Sequence, residues 1–268
     1  MTMENLFSYS IMQYQIIAHV LTLWSAVMLA ALLYFACTYN TVLKKYRISS
    51  ALSIVVMVSA FLILYHQYTS RTGNFVFDPL TNLFVKNPET LFTNWFRYLN
   101  RLIDVPMLLL QLTFVVGIPA VLAKKARWQF VVSGALMIIT GYIGQFYETA
   151  QNMNMYRIFF AISCIFFVHV YYVLYQVITS WMNDKLIGKK WQKIVKAIRY
   201  VFLGARMLYP IAYLMPVISL TAQWVVRRQM LFTIADITSK VIYGILLMQL
   251  AMVKSKKEWF DYNEQPSV

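Results

Sequence analysis

An acid and a base lie four positions apart in an otherwise apolar segment near the C-terminus. In FTIADITSKVIYG, residues 232–244, these are Asp236 and Lys240. At helical spacing the two side chains share a face, and a charge inside a bilayer costs at least a few kcal/mol. One interpretation is a buried structural ion pair. The other is that Lys240 supplies an amine for Schiff-base chemistry with a carbonyl compound, and that nearby carboxylates keep the imine protonated. The spacing alone leaves both open.

A second polar set lies in RYLNRLIDVPMLLLQL, residues 97–112. At 100° per residue, Asn100, Asp104 and Gln111 fall within about 40° of one another and form a stripe about 16 Å long. Such a stripe either holds helices together or lines an ion path. An Asn or Gln alone favours the first interpretation, whereas an Asp midway along the segment favours the second.

The elements that must position these residues are membrane helices. The 268 residues are 60% hydrophobic and only 13% charged, which is too apolar for an ordinary soluble domain. Seven apolar runs are each long enough to cross a bilayer, where the backbone must be helical. They cover about residues 15–38, 51–68, 97–122, 130–147, 156–182, 199–220 and 229–253. We therefore predict an all-α membrane protein, a seven-transmembrane-helix bundle.

The same runs define the domain organisation. We predict a single domain over residues 1–268, with a short N-terminal segment at about 1–14 and a C-terminal tail at about 254–268. The cysteines, Cys37 and Cys164, fall inside predicted helices, so neither a structural disulfide nor a metal site is expected. No glycine-rich phosphate loop or His/Cys cluster with ligand spacing is present in the sequence, so neither nucleotide-binding nor metal-dependent enzyme chemistry is expected.

The net charge of +14 is concentrated in particular loops. Basic residues cluster after the first, third and fifth runs and in the C-terminal tail, whereas the opposite loops hold few. This bias predicts a cytoplasmic C-terminus, an extracellular N-terminus and a multi-pass protein of the cell (plasma) membrane. The basic loops then contact lipid headgroups rather than nucleic acid.

The pattern as a whole resembles the microbial rhodopsins. The resemblance rests on the Arg-Tyr and Asp-x-Pro pattern of the third run, on LYPIAYLMP in the sixth and on TIADITSKVIYG in the seventh. It extends through LTLWSAVMLAALLYF in the first run and GALMIITGYIGQFYE in the fourth. It implies seven helices and all-trans retinal held as a Schiff base on Lys240.

Within that family, Asn100, Asp104 and Gln111 match the NDQ class, the light-driven outward sodium pumps. The resemblance implies that Asp104 is the main counterion and proton acceptor and that Asp236 is the second carboxylate. It also implies a transient sodium ion near Asn100 and Asp236, proton transport when sodium is scarce, and a homo-oligomer, pentameric in this class.

The resemblance assigns further residues to the ion path and to the retinal pocket. The ion path comprises Ser50, Ser59, Arg97, Asn100, Gln111, Glu148 and Arg228. The retinal pocket comprises Arg101, Val105, Met137, Gly141, Arg206, Tyr209, Pro210, Tyr213 and Ser239. At the cytoplasmic entrance, Ser50 and Met248 replace an Asn and a Gly that are frequent in the class. Met248 adds bulk where ions would enter, so we expect ion uptake or selectivity to be affected.

Arg101 and Arg206 stand where the family has two tryptophans that enclose the retinal chain. With Arg97 and a protonated imine they give four positive groups against Asp104 and Asp236. We expect this balance either to favour loss of the imine proton or to recruit an anion or water, unless an arginine turns away towards lipid headgroups or a carboxylate. The sequence leaves several interpretations open. They are a retuned pigment, a non-pumping or sensory rhodopsin-like protein that binds retinal poorly or differently, and a deliberately altered protein with a modified or empty pocket.

Overall fold

The protein folds as a ring of seven helical rods. The computed structural model describes residues 2–116, 120–182 and 189–263. Within these ranges the helices are α1 (Ile11–Thr38), α2 (Lys44–Asn74), α3 (Trp95–Val116), α4 (Ala120–Gln145), α5 (Met153–Met182), α6 (Lys189–Ile218), α7 (Ala222–Ile237) and α8 (Tyr243–Asn263). A π-helical turn, Thr238–Ile242, joins α7 and α8, so these two form one seventh rod. Short 3₁₀ helices cover Met3–Leu6, Tyr39–Thr41 and Ala150–Asn152.

Neighbouring rods pack in chain order, and the seventh closes the ring against α1 and α6. α1 shows why the sequence is apolar on all sides. Leu21 and Phe35 are buried in the bundle, while Leu23 and Leu33 on the same helix are exposed on its outer surface. A helix that is apolar on every side suits a lipid environment. Within the part of the chain that the structure describes, six rods are long and apolar enough to cross a membrane.

The remaining rod, α4, corrects the sequence prediction. The third run was predicted to reach residue 122, but α3 ends at Val116 and α4 begins at Ala120, well before the predicted start at 130. The sequence has a Gly at 117 and a Pro at 119, outside the described ranges, and both residue types favour the ends of helices. Because the apolar composition continues through these positions, run length could not predict the helix boundary. The basic residues at 124–127, predicted in a loop, therefore lie in the first turns of α4.

The two termini also differ from the prediction. α1 already begins at Ile11, where the Ser10 side chain accepts a hydrogen bond from the Gln13 backbone in a capping box. At the other end, α8 continues through the predicted tail to Asn263. Lys254 Nζ donates to the carbonyls of Val115 and Val116, at 2.8 Å each. It thereby satisfies carbonyls at the C-terminal end of α3, where a positive charge is favourable.

A three-stranded antiparallel sheet covers the bundle end that carries the N-terminus. Its strands are β1 (Tyr9–Ser10), β2 (Phe75–Asp78) and β3 (Leu83–Lys86), in the order β1-β3-β2. The sequence analysis did not predict this sheet, because its strands are only two to four residues long and lie in what was expected to be a polar loop. Together with the 3₁₀ helix at Met3–Leu6, the sheet lies over the polar residues at that end.

Candidate functional site

Lys240 occupies the π-helical turn and is buried in the middle of the bundle, with 3% of its surface exposed. Its Nζ lies 2.7 Å from Oδ2 of Asp104 and donates a hydrogen bond to Oδ1 of Asn100 at 2.8 Å. Oδ1 of Asp236 is farther away, at 3.5 Å. The tighter ion pair therefore joins α3 to the seventh rod, and the i, i+4 pair suggested by the spacing is the looser one. π-helical turns often occur at functional sites.

Asp236 is held mainly by other partners. Its carboxylate accepts hydrogen bonds from Arg97 Nη1 at 3.1 Å and from the Tyr209 hydroxyl at 2.8 Å. The same hydroxyl lies 2.9 Å from Oγ of Ser239. Asp236 is thus anchored on the side of Arg97, whereas Asp104 faces the Lys240 nitrogen directly. The two carboxylates have different environments and can take different roles.

The polar stripe of α3 faces α2 as well as the seventh rod. The side-chain amide of Asn100 donates to Ser59 Oγ. Further along α3, towards its C-terminal end, Gln111 Nε2 donates to Ser53 Oγ at 3.0 Å and to the Ser49 carbonyl at 3.3 Å. The stripe therefore binds helices together along its length, and at Asn100 it also reaches the buried amine. Both interpretations drawn from the sequence describe part of it.

The predicted entrance residue Ser50 lies on α2 between Ser49 and Ser53, the two residues that bind Gln111. Its Oγ donates to Sδ of Met248 at 3.1 Å, and both residues are buried. Met248 therefore places its thioether beside Ser50, a contact that was not predicted from the sequence. A thioether is a weak acceptor and a poor ligand for a hard cation.

A buried ion-pair cluster lies at the N-terminal end of the bundle. Arg228 makes a bidentate contact with Glu148, at 2.6 and 2.9 Å, and its Nη2 is 3.5 Å from Oε1 of Glu4. All three side chains are almost completely buried. Glu148 and Arg228 were predicted together, but Glu4 was not, because it lies in an N-terminal segment without any helical periodicity.

This cluster is connected to the central site through a glutamine. Gln229 accepts a hydrogen bond from Arg97 Nη2 at 3.2 Å and donates to Glu4 Oε1 at 3.0 Å and to Asn94 Oδ1 at 2.9 Å. Polar contacts thus run from Asp236 through Arg97 and Gln229 to Glu4. The sequence analysis missed Gln229 and Asn94. Helical spacing could have indicated Gln229, because it lies seven residues before Asp236 and therefore on the same helix face.

A cavity opens beside the Lys240 nitrogen, between α3, α4, α5, α6 and the seventh rod. All nine residues predicted to form the retinal pocket line it, together with Asp104 and Lys240. The further lining residues are mostly apolar: Tyr98, Leu108, Ile138, Phe160, Ser163, Cys164 and Phe167. A mostly apolar space with a primary amine in its wall suits an apolar aldehyde such as retinal. The residues present therefore fit that group along the apolar part of the wall.

Glycines let the wall close tightly. A Cβ at Gly144 would lie 2.0 Å from the Tyr213 hydroxyl oxygen and 3.0 Å from Phe159 Cβ, so only glycine allows Tyr213 its position in the lining. A Cβ at Gly141, itself a lining residue, would meet Ser163 and Tyr98 at an ordinary 3.5 Å. The fit at Gly144 is therefore the more demanding of the two.

Arg101 and Arg206 also line the cavity, and neither turns away from it. They are 5% and 4% exposed, so the suggestion that one might reach lipid headgroups is wrong. The guanidinium of Arg101 lies 4.3 Å from the centre of the Tyr209 ring, and that of Arg206 lies 4.6 Å from the Phe202 ring. The aromatic faces attract the guanidinium groups and hold them inside the bundle.

Comparison with known proteins identifies the family. Residues 15–254 match the family model described as "Bacteriorhodopsin-like protein". Among curated proteins, the chain is 27% identical over 171 residues to bacteriorhodopsin-II of Haloarcula marismortui, covering 63% of this chain and 64% of that protein. It is 20% identical over 165 residues to a green-light absorbing proteorhodopsin of a gamma-proteobacterium, covering 60% and 62%. The matched region thus spans less than two thirds of these relatives.

Solved structures match over more of the chain. The crystal structure of thermophilic rhodopsin is 28% identical, with a TM-score of 0.86, and the match covers 94% of this chain and 98% of that one. Xanthorhodopsin, described as a light-driven ion pump with dual chromophore, is 27% identical, with the same TM-score and coverage. Halorhodopsin, a light-driven chloride pump, shares the fold at 18% identity and a TM-score of 0.69, covering 90% and 97%.

These matches confirm the seven-helix membrane bundle and place the chain in a family of multi-pass membrane proteins rather than enzymes. They do not distinguish the sodium-pump class within that family. The match over residues 15–254 includes the whole of the Lys240 site and its cavity. The chain belongs to the bacteriorhodopsin-like family of microbial rhodopsins.

Proposed function

We propose that the protein is a light-driven ion pump that carries retinal on Lys240 and moves sodium out of the cell. The observation that carries the proposal is the position of the Lys240 nitrogen, 2.7 Å from Asp104 and 2.8 Å from Asn100. Family membership and the described activity of xanthorhodopsin support light-driven transport. Sodium as the ion rests on the Asn100, Asp104 and Gln111 pattern.

Retinal, when bound, supplies the absorption of light and the change of shape that drives transport. The chain supplies the proton acceptor. Asp104 Oδ2 faces the Lys240 nitrogen at 2.7 Å, which is within hydrogen-bond distance for a direct proton transfer. Asp236 is less suited to this role, since it is farther from the nitrogen and already bonded to Arg97 and Tyr209.

The proton on the Lys240 nitrogen also acts as a barrier, because its positive charge repels a cation. Transfer of that proton to Asp104 removes the charge from the nitrogen. Oxygen atoms of Asn100, Ser59 and Asp236 then lie around the path, and a hard cation prefers oxygen ligands. When the proton returns, the barrier is restored behind the ion.

The direction of transport follows from the two ends of the path. Towards the N-terminal end, Arg97, Gln229, Glu4, Arg228 and Glu148 form the connected polar series through which an ion would leave. We assign this end to the outside, on the basis of the basic loops at the opposite end. Proton transport when sodium is scarce, and assembly as a homo-oligomer such as a pentamer, remain predictions from the resemblance.

The experiment is illumination of retinal-supplied cells that express the protein, with external pH recorded in sodium and in potassium salt. Export of sodium makes the cell interior negative, so protons enter and the external pH rises. A protonophore should increase that rise. Asp104→Asn should abolish it. A pH signal of the same size and direction in potassium salt would overturn sodium as the ion.

A second candidate is a sensory, non-pumping rhodopsin-like protein. The presence of Arg101 and Arg206 in the cavity favours it, because two guanidinium groups replace apolar wall beside the amine. This candidate predicts a visible pigment with no light-driven pH change in either salt. The same recordings therefore distinguish the two functions.

A further inference from the structure

Two guanidinium groups share the central cavity with unsatisfied hydrogen-bond donors. Nε and Nη2 of Arg101, and the same two atoms of Arg206, are buried and lack a hydrogen-bond partner among the described residues. Both side chains are more than nine-tenths buried, and both line the cavity. Leaving donors of a charged group unpaired in the interior is costly. The cavity therefore contains charged N–H groups of both arginines that can donate strong hydrogen bonds to a bound acceptor.

The ion pairs of the site do not compensate these charges. Lys240 pairs closely with Asp104, and Arg97 pairs with Asp236. These two pairs use both carboxylates that face the site, and no ion pair joins Arg101 or Arg206 to a described carboxylate. Two positive charges thus remain in excess in a region of low dielectric constant, where an opposite charge is strongly attracted.

Aromatic rings account for the burial of these arginines only in part. Arg71 differs from them in its position and not in its ring contacts. Its guanidinium also lacks hydrogen-bond partners among the described residues and lies within 5.1 Å of three ring centres, as that of Arg101 does, but it is not part of the cavity wall. Ring faces attract a cation, but they replace few of the hydrogen bonds that its N–H groups make in water. Arg101 and Arg206 face open space in which an acceptor can bind.

We propose that the cavity binds a monovalent inorganic anion, such as chloride or nitrate, at the guanidinium groups of Arg101 and Arg206. The anion accepts the unpaired N–H groups and offsets the excess positive charge. A small ion is favoured over a larger acid because the rest of the cavity lining is mostly apolar. The site uses two residues that sodium transport does not use, so either proposal can fail without the other.

The first test uses purified, retinal-free protein at constant ionic strength, with gluconate replaced stepwise by chloride or nitrate. The thermal unfolding midpoint should rise and saturate, because a ligand that binds only the folded state stabilises it. The double variant Arg101→Gln/Arg206→Gln should lose the chloride response. Arg157→Gln, which changes an exposed arginine outside the cavity, should keep it.

A wild-type midpoint that is equal in chloride and gluconate would overturn the proposal, as would a full chloride response in the double variant. Should the double variant not fold, line broadening of the ³⁵Cl NMR signal by the wild-type protein decides the question. Broadening that nitrate reverses supports the site, and its absence overturns it.

The second test uses the retinal-supplied protein. At the chloride concentration that saturates the thermal response, the visible band should shift relative to gluconate, because the anion changes the field at the Lys240 nitrogen. An unchanged band would contradict a site beside that nitrogen. If no pigment forms, the function proposed above fails, while the thermal test still decides anion binding.

Discussion

The Lys240 nitrogen lies closer to Asp104, across the helix interface, than to Asp236, its neighbour on the same helix. The distances are 2.7 and 3.5 Å. Arg97 and Tyr209 hold Asp236 in place, so Asp104 is the carboxylate that depends most on the amine. The structure thereby gives different surroundings to two acids that helical spacing alone does not rank.

Asp104→Asn should abolish light-driven transport while a pigment still forms. The amide cannot accept the proton from the Lys240 nitrogen, but Asp236 remains to balance the positive charge. Transport is measured as the light-dependent pH change of a cell suspension, and the pigment by its visible absorption. Asp78→Asn is the matched control, since Asp78 lies in the exposed hairpin, where its side chain accepts hydrogen bonds from the Leu80 backbone and the Thr81 hydroxyl. Undiminished pumping by Asp104→Asn would show that the proton goes elsewhere.

Asn100→Ala should weaken sodium transport more than proton transport. The substitution removes the oxygen that accepts from Lys240 and the amide that donates to Ser59, and with them a hard ligand beside the amine. We expect the difference between pH signals in sodium and potassium salt to shrink or vanish. Asn152→Ala, in an exposed 3₁₀ helix, should leave that difference unchanged. A variant at Asn100 with wild-type sodium dependence would remove this residue from the ion path.

Arg228→Gln should destabilise the folded protein by about 3–5 kcal/mol, because it leaves the buried Glu148 and Glu4 carboxylates without their cation. Arg227→Gln provides a matched control one residue away, on the exposed side of the helix. We expect the control to change stability by no more than about 0.5 kcal/mol. Thermal unfolding in detergent measures both, and equal midpoints for the two variants would contradict the structural importance of the cluster.

Gly144→Ala should cost roughly 1–3 kcal/mol, because the added methyl group overlaps the Tyr213 hydroxyl and forces the cavity wall to shift. At Gly204, by contrast, an added Cβ meets nothing within 4 Å. Gly204→Ala should therefore be neutral or stabilise helix α6 by up to about 1 kcal/mol. The unfolding midpoint of Gly144→Ala should fall, whereas that of Gly204→Ala should stay the same or rise. A Gly144→Ala protein as stable as the wild type would mean that Tyr213 yields easily.

Restoring tryptophan at both arginine positions should change the pigment. Arg101→Trp/Arg206→Trp removes two buried charges beside the amine and adds apolar wall, so we expect a higher yield of pigment and a displaced visible band. Lys193→Gln, which removes a positive charge near the start of α6 and away from the cavity wall, serves as the control. If the double variant matches the wild type in colour and in transport, the arginines have no part in either.

Much of this site was accessible from the sequence, because helical periodicity places residues on faces. The spacing of Asn100, Asp104 and Gln111 predicted one polar stripe, and all three are buried together in the structure. The i, i+4 relation of Asp236 and Lys240 predicted their proximity. Periodicity could not rank the two carboxylates, because the closer partner of Lys240 belongs to another helix.

Contacts between distant segments were beyond such reasoning. Glu4 joins Arg228 and Gln229, more than 220 residues away in the chain, and no local pattern indicates that the N-terminal segment folds over the bundle end. The boundary between α3 and α4 was missed because the apolar composition continues through it. The guanidinium of Arg101 lies over the rings of Tyr209 from α6 and Phe232 from α7, which only the packed structure brings together.

The central claim is that Lys240 carries the chromophore, and the absorption spectrum of the purified protein tests it most directly. After addition of all-trans retinal, the wild-type protein should develop a visible band well separated from that of free retinal, and Lys240→Ala should not. A wild-type spectrum that shows only free retinal, identical to that of Lys240→Ala, would contradict the account.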